Sequence, residues 1–266
     1  MTDEFNLELS VEEFVVAIGI VKKPEEAKGL LLNTLGLMSP DEEKGRLLAA
    51  YNSLFAHRLL VFGQSEAFLQ PDLKKMLDIF FDSRKLIKTG KSVGVGEDLV
   101  SYYFYHNAWL EHSIIQGIVH RFQYPINNKV AQQNIEKFFS PHSSSLEGKE
   151  KKTIDISTDI FLNLKPGSFS NSDNLLSLLE KTSDNTFPEM KCLAEDIVFG
   201  DWRGSTIWID RPNDEQLLSR GYLWVQGKER LWFINSLNAD KSNFLQATLC
   251  DERDFTIHLK NLIETQ

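Results

Sequence analysis

Apolar residues recur every three or four positions through the first eighty residues, and strand-like spacing follows. Helices are predicted to begin near Ser10, Pro24, Ser39 and Pro71. Ser10 and Glu13 have the spacing of a capping box, and Ser39 followed by proline is a strong helix start. Strands are predicted at 84–89, 99–115 and 118–124, with a closing helix at 127–139. The segment 99–115 is interpreted as one long or bent strand.

A polar segment at 140–152 separates two similarly patterned halves of the chain. It contains Pro141, Gly148 and several serines and lysines, which is typical of a linker. The pattern then restarts, with helices around Leu175 and at 188–198, strands at 205–210, 221–235 and 244–249, and a last helix capped by Asp251. The strand region 221–235 is predicted to be a hairpin that turns near Gly227 and Lys228.

The two halves also match in the order of residue types. Residues 7–14 (LELSVEEF) correspond to residues 154–161 (IDISTDIF), except that isoleucine replaces the second glutamate of the capping segment. We interpret this match as an internal duplication. The predicted fold is α+β, with a first lobe at 1–140, a linker at 141–152 and a second lobe at 153–266. Each lobe is expected to contain helices, a mostly antiparallel sheet and a closing helix.

Composition and charge narrow the classes of partner. The 266 residues include 38 acidic and 29 basic side chains, giving a net charge of −9. Such a chain lacks the basic surface that phosphate backbones require, so we expect no nucleic-acid partner. The helix-rich start could also be interpreted as a winged-helix DNA-binding domain, but the net negative charge argues against it. The early apolar run 14–21 is too short to span a bilayer. Two distant cysteines, Cys192 and Cys250, indicate a reducing, cytoplasmic setting without disulfides.

Candidate catalytic groups are sparse. Gly90-Lys91-Ser92 resembles the end of a phosphate-binding loop, but residue 85 is lysine where that motif needs glycine. His106 and His112 share a face of a straight strand, yet they would lie about 20 Å apart. A hairpin would instead bring His120 next to His112, where a metal or a general base becomes conceivable. We expect no cofactor, no metal and no enzymatic activity.

Three strand segments are aromatic or apolar on both faces. The positions that stand out are Tyr103, Tyr105, Trp109, Trp224 and Trp232. A half-exposed antiparallel strand should alternate apolar with polar residues, so the second face requires a cover. The cover is either the sheet of the other lobe, further helices, or a protein partner. On the last alternative these five residues are the predicted partner-binding anchors, because aromatic side chains dominate binding hot spots.

The order of elements resembles the EspG-like chaperones of type VII secretion. The resemblance is carried by the opening Leu9-Ser10-Val11-Glu12-Glu13, the hairpin at 221–235, and the closing strand and helix at 244–264. It implies two related subdomains, each with an antiparallel sheet and helices. It also implies a cytosolic protein that binds helical secretion substrates without catalysing a reaction.

Three hypotheses for function follow. The leading one is a non-enzymatic protein-binding module, a chaperone or adaptor for secreted helical proteins. The second is an enzyme with a site between the lobes that uses His106, His112 or His120. The third is a regulatory homodimer.

Overall fold

The fold is α+β. A computed structural model describes residues 4–21, 23–63, 66–93, 96–143, 153–158, 171–182, 188–213, 216–236 and 244–264. Within these ranges eight helices and twelve strands are formed, and the strand pairings are antiparallel. Among the described residues, no helix combines the length and apolar character needed to cross a membrane.

The helices and the strands are each numbered in chain order. The first part of the chain contains β1 (Phe5–Ser10), α1 (Val11–Ile20), α2 (Pro24–Leu35), α3 (Pro40–Ala56), β2 (Leu60–Phe62), β3 (Ala67–Leu69), α4 (Pro71–Asp82), β4 (Lys85–Val93), β5 (Gly96–Tyr105), β6 (Ala108–Ile115), β7 (Val119–Ile126) and α5 (Asn128–Phe139). The second part contains β8 (Thr153–Ser157), α6 (Ser172–Thr182), α7 (Pro188–Phe199), β9 (Trp202–Asn213), β10 (Gln216–Gln226), β11 (Leu231–Ser236), β12 (Phe244–Cys250) and α8 (Glu252–Glu264).

Two compact units are formed by segments that interleave along the sequence. The first unit is Met1–Leu86 with Val100–Ala131, and the second is Ile87–Leu99 with Gln132–Gln266. The lobe boundary predicted at residue 140 stays a prediction, and so does the internal duplication. Part of the matching segment, residues 159–161, lies outside the described residues.

The first unit packs helices on one face of a four-stranded arrangement. Its strands are hydrogen-bonded in the order β1-β7-β6-β5, and β2 and β3 form a separate hairpin. Phe14 of α1 and Leu73 of α4 meet Leu110 and Phe122 of the sheet in one buried cluster. Removal of this apolar surface from water is the main driving force for the unit.

The second unit has helices on both faces of its strands, which are ordered β4-β9-β10-β11-β12-β8. One face carries Val225, Trp232 and Ile234, which form a buried cluster with residues of α6 and α7. On the other face, the Trp224 ring lies 4.5 Å from the ring of Phe255 on α8. Further helices are therefore the cover that the doubly apolar strands of this unit require.

The predicted helix starts are confirmed by their hydrogen bonds. Ser10 Oγ accepts from the Glu13 amide at 3.1 Å, and the Ser10 amide donates to the Glu13 carboxylate at 2.8 Å. At the start of α3 the Ser39 Oγ accepts from the Glu42 amide at 3.3 Å, and Asp251 accepts from the Asp254 amide at 2.9 Å. Each cap supplies a partner to amide groups that the first helical turn leaves free.

The interpretation of 99–115 as a single strand is wrong. β5 and β6 form a hairpin in which Tyr105 pairs with Ala108. The turn residues His106 and Asn107 have φ values of 42° and 65°. Both residue types enter the left-handed region more readily than most, and two such residues make the tight turn that suits the strand twist. The sequence lacks the glycine that usually signals this turn.

Candidate functional site

The five predicted anchor residues occupy different environments. Trp109, Trp224 and Trp232 are buried, and Tyr103 and Tyr105 are half-buried. Trp109 Nε1 donates to Asn128 Oδ1 at 2.7 Å. The Tyr103 ring lies 4.8 Å from Phe80, and burial raises the pKa of its hydroxyl to about 12. The binding role of these five residues stays a prediction, while their packing role is visible.

A buried polar network fixes the β10–β11 turn in the second unit. The Asp196 carboxylate on α7 accepts from Arg230 Nε at 2.7 Å, from Arg230 Nη2 at 3.0 Å and from Trp232 Nε1 at 2.8 Å. A Cβ atom at Gly227 would overlap this carboxylate, so the turn admits only glycine there. The hairpin predicted near Gly227 is thus confirmed, and Trp232 acts in it as a hydrogen-bond donor.

The chain segment that follows α5 is bound to the same turn. Gln226 has no exposed surface, and its side-chain amide donates to His142 O at 2.6 Å and accepts from the His142 amide at 3.1 Å. His142 Nε2 also lies 3.1 Å from Asp201 Oδ2, in a half-exposed pair. This arrangement holds His142 against the β10–β11 turn.

The phosphate-loop resemblance at Gly90-Lys91-Ser92 has a structural explanation. Lys91 Nζ donates to Phe138 O at 3.1 Å and to Phe139 O at 3.0 Å, the last carbonyl groups of α5. Burial lowers the pKa of Lys91, and the nearby Asp98 charge opposes that effect. Lys91 therefore caps a helix C-terminus, where a cation is favoured, and is not available to phosphate.

The β6–β7 hairpin brings His112 and His120 together, as the hairpin alternative predicted. His112 Nε2 and His120 Nδ1 lie 2.8 Å apart, so one ring donates to the other. The His112 ring stacks on Phe122 at 4.5 Å, and the His120 ring lies 4.8 Å from Phe14. Burial lowers the pKa of His112 to about 3, with the neighbouring His120 as a second cause, and burial lowers that of His120 to about 4.

This geometry describes a neutral, packed pair in the core of the first unit. His106 is exposed at the β5–β6 turn and takes no part in the pair. Within the described ranges, no three histidine, cysteine, aspartate or glutamate side chains converge as metal ligands. The pair contributes to the aromatic core, and both rings stay uncharged near neutral pH.

The second unit has an exposed apolar surface at the end of the β9–β10 hairpin, which the sequence pattern did not predict. Residues 216–221 of β10 are all exposed, whereas Trp224, Val225 and Gln226 of the same strand are buried. Leu217 is 63% exposed and Leu218 is 54% exposed. The pairing of β10 with β9 shifts register between Gln216 and Leu218, so Leu217 lies at an irregularity of the ladder, and both leucines are accessible at this hairpin end. Exposed apolar surface of this kind marks interaction sites.

Comparison with known proteins gives one informative result. No protein-family profile and no curated protein matches the chain, whereas fourteen chains of solved structures do. One of them is the Mycobacterium tuberculosis type VII secretion system chaperone EspG5 in complex with a PE25-PPE41 dimer. The TM-score is 0.65 at 7% identity, and the match covers 98% of this chain and 96% of that chain. The resemblance to EspG-like chaperones is therefore confirmed as a likeness of fold.

Proposed function

We propose that this protein is a non-enzymatic chaperone or adaptor that binds a helical, secreted protein in the cytoplasm. The observation that carries the proposal is the likeness of fold to the EspG5 chaperone, which extends over 98% of the chain. That chaperone was solved with a protein dimer bound to it. A likeness that covers 98% of this chain and 96% of that chain favours a shared mode of action more than a likeness confined to a common motif does.

The β9–β10 hairpin end supports the proposal with a surface for the partner. Leu217 and Leu218 are exposed there on a two-stranded ribbon, and Arg220 of the same stretch is exposed as well. An amphipathic helix can bury such leucines in its apolar stripe and place an acidic residue near the arginine. We therefore assign the hairpin end to partner binding.

The partner is tested by capture followed by reconstitution. The tagged chain is used to capture proteins from an extract of its native cells, and mass spectrometry identifies those retained in stoichiometric amount. The identified protein is then co-expressed with the chain, and the complex is measured by light scattering and titration. We expect a helical partner, and we expect Leu217→Glu with Leu218→Glu to weaken binding by at least about tenfold, because two half-exposed leucines would lose their apolar contacts.

Ile257→Glu is the matched control for this substitution. Ile257 is 54% exposed on α8, so the change introduces one glutamate, against two in the hairpin variant, at the exposure of Leu218 and away from the hairpin. Equal loss of binding in the control and in the double variant would contradict the assignment of the hairpin end. Failure to retain any stoichiometric protein would contradict the proposed function itself.

The enzyme hypothesis receives less support from the geometry. His112 and His120 are buried at 8% and 2% exposure and contact aromatic rings, whereas a general base must reach a substrate. His106, the third candidate, is exposed at a turn. The histidines therefore favour a core role over an active site.

A further inference from the structure

The rings of His112 and His120 are enclosed between the sheet of the first unit and two of its helices. The rings belong to the paired strands β6 and β7, and His112 Nε2 lies 2.8 Å from His120 Nδ1. The Phe14 ring of α1 lies 4.8 Å from the His120 ring, and the Phe80 ring of α4 lies 5.6 Å from the His112 ring. The two helices therefore form part of the cover that keeps water from the pair.

The groups that face the pair offer no negative charge to stabilise a second proton. Among the described residues, the histidines within ion-pair distance of a carboxylate are His57 and His142, and neither belongs to the pair. On β5 the titratable group that faces His112 is Tyr103, whose ring lies 6.5 Å away. Burial raises the pKa of Tyr103 to about 12, so this side chain stays neutral as well.

The charged neighbours on the strands lie on the other face of the sheet. Glu111 and Arg121 are adjacent in sequence to His112 and His120, so their side chains point to the opposite side. Glu111 forms a hydrogen bond with Tyr102, and Arg121 Nε donates to a glutamate of β1 at 2.7 Å. Neither charge is therefore placed to balance one on the pair.

The charged residues of the two covering helices are also engaged or directed elsewhere. Glu12 of α1 pairs with Arg46, and Glu13 accepts from Ser53 Oγ at 2.7 Å, both on α3. On α4, Lys75 Nζ lies 4.8 Å from the centre of an aromatic ring of β7, and Asp72 precedes Phe80 by about 12 Å along the helix axis. The remaining charged residues of α4 are all exposed: Lys74, Asp78 and Asp82.

A second proton on the pair therefore requires water to reach the rings. Burial lowers the pKa of both rings, and for His112 the neighbouring His120 is a second cause. Backbone hydrogen bonds join β6 to β7, whereas α1 and α4 cover the rings by side-chain packing. Loosening of these two helices is the smallest change that hydrates the rings, and local openings of this kind cost less than global unfolding.

The second unit has no comparable pair among its described residues. His142 is exposed and His258 is partly exposed, while the buried carboxylate of Asp196 is already paired with Arg230. We propose that the His112–His120 pair is an acid-sensitive switch in the first unit, which opens by loosening of α1 and α4 while the second unit stays folded. This proposal does not rest on the proposed function.

Hydrogen exchange measured by mass spectrometry tests the proposal on the unmodified chain. Exchange is followed at pH 7 and at pH 5, and each rate is divided by the intrinsic amide rate at that pH to give a protection factor. We expect protection in α1 and α4 to fall by more than about tenfold at pH 5, because the opened state binds protons that the closed state excludes. Protection in α7 and β11 of the second unit should stay unchanged.

Substitutions of the histidines identify the group that responds. His112→Gln combined with His120→Gln should abolish the fall in protection of α1 and α4 between pH 7 and pH 5. His106→Asn is the matched control, because it removes an exposed histidine of the same unit, and it should keep the wild-type response. If the double variant does not fold at pH 7, His112→Gln alone, which leaves one titrating ring, should show a smaller fall than the wild type.

Three results would overturn the proposal. Protection of α1 and α4 that is equal at the two pH values would show that the pair controls no opening. An equal loss of protection in both units would show global unfolding rather than a switch in the first unit. A wild-type response in the folded histidine variants would assign the acid sensitivity to other groups.

Discussion

Replacing Asp196 with alanine should lower the free energy of unfolding by about 3 kcal/mol. The carboxylate is 6% exposed and accepts three hydrogen bonds, two from Arg230 and one from Trp232. Without it, the Trp232 indole N–H, on a residue with no exposed surface, is left with no acceptor. An unsatisfied buried donor costs about 1–3 kcal/mol, and loss of the partner of a charged group adds to that cost.

The exposure of Arg230 limits the expected loss. Its side chain is 36% exposed, so the guanidinium can turn partly toward water when the carboxylate is absent. The penalty therefore lies at the lower end of the roughly 3–5 kcal/mol that is typical when one partner of a fully buried pair is removed. Most of the predicted loss then comes from Trp232 and from the β10–β11 turn, which packs against the carboxylate at Gly227.

Glu195→Ala is the matched control. Glu195 precedes Asp196 on α7 and lies 3.8 Å from the same Arg230 Nη2, but its side chain is 41% exposed. An exposed ion pair contributes about 0–1 kcal/mol, so this variant should stay close to the wild type. Urea denaturation of both variants, with comparison of m values, provides the measurement. An Asp196→Ala variant as stable as Glu195→Ala would contradict the structural role assigned to the buried carboxylate.

Helix starts and turns that depend on contacts between residues close in the sequence could be predicted from local residue patterns. Ser10 and Ser39 start helices through hydrogen bonds to residues three positions later, so the spacing of residue types predicts them directly. The turn at Gly227 is predictable for the same reason. By contrast, Asp196 acts on residues 34 and 36 positions away, and no local pattern indicates such a contact.

The doubly apolar strands show where local patterns stop being informative. Alternation predicts which residues share a face of β10, but it does not predict what covers that face. Trp224 contacts Phe255 of α8, and Trp232 lies in the cluster with α6 and α7, so helices provide both covers. On β10 the exposed leucines are Leu217 and Leu218. The alternation of residue types does not distinguish them from the buried apolar residues of the same strand.

Acidification should destabilise the first unit through His112 and His120. In the folded chain their pKa values are lowered to about 3 and about 4, below the ordinary value of 6.5. Below pH 6.5 the unfolded chain therefore binds protons that the folded chain excludes, and stability falls as pH falls. The contribution is fully present above pH 6.5 and is lost progressively as pH falls toward the folded-state pKa values of about 4 and about 3. Between pH 7 and pH 5 the loss is about 2 kcal/mol for each histidine, or about 4 kcal/mol for the pair.

The physical reason is that the core offers no place for a second proton. One N–H already lies between the two rings, and His120 Nε2 is buried without a hydrogen-bond partner among the described residues. His112→Gln with His120→Gln removes both titrating groups while keeping polar side chains of similar size. The difference in unfolding free energy between wild type and this variant should change by several kcal/mol between pH 7 and pH 5. His106→Asn, at an exposed turn with a positive φ that asparagine tolerates, should not change the wild-type profile. Parallel pH profiles for the wild type and the double variant would show that the pair is accessible to protons in the folded chain, and would reopen the case for a functional histidine site.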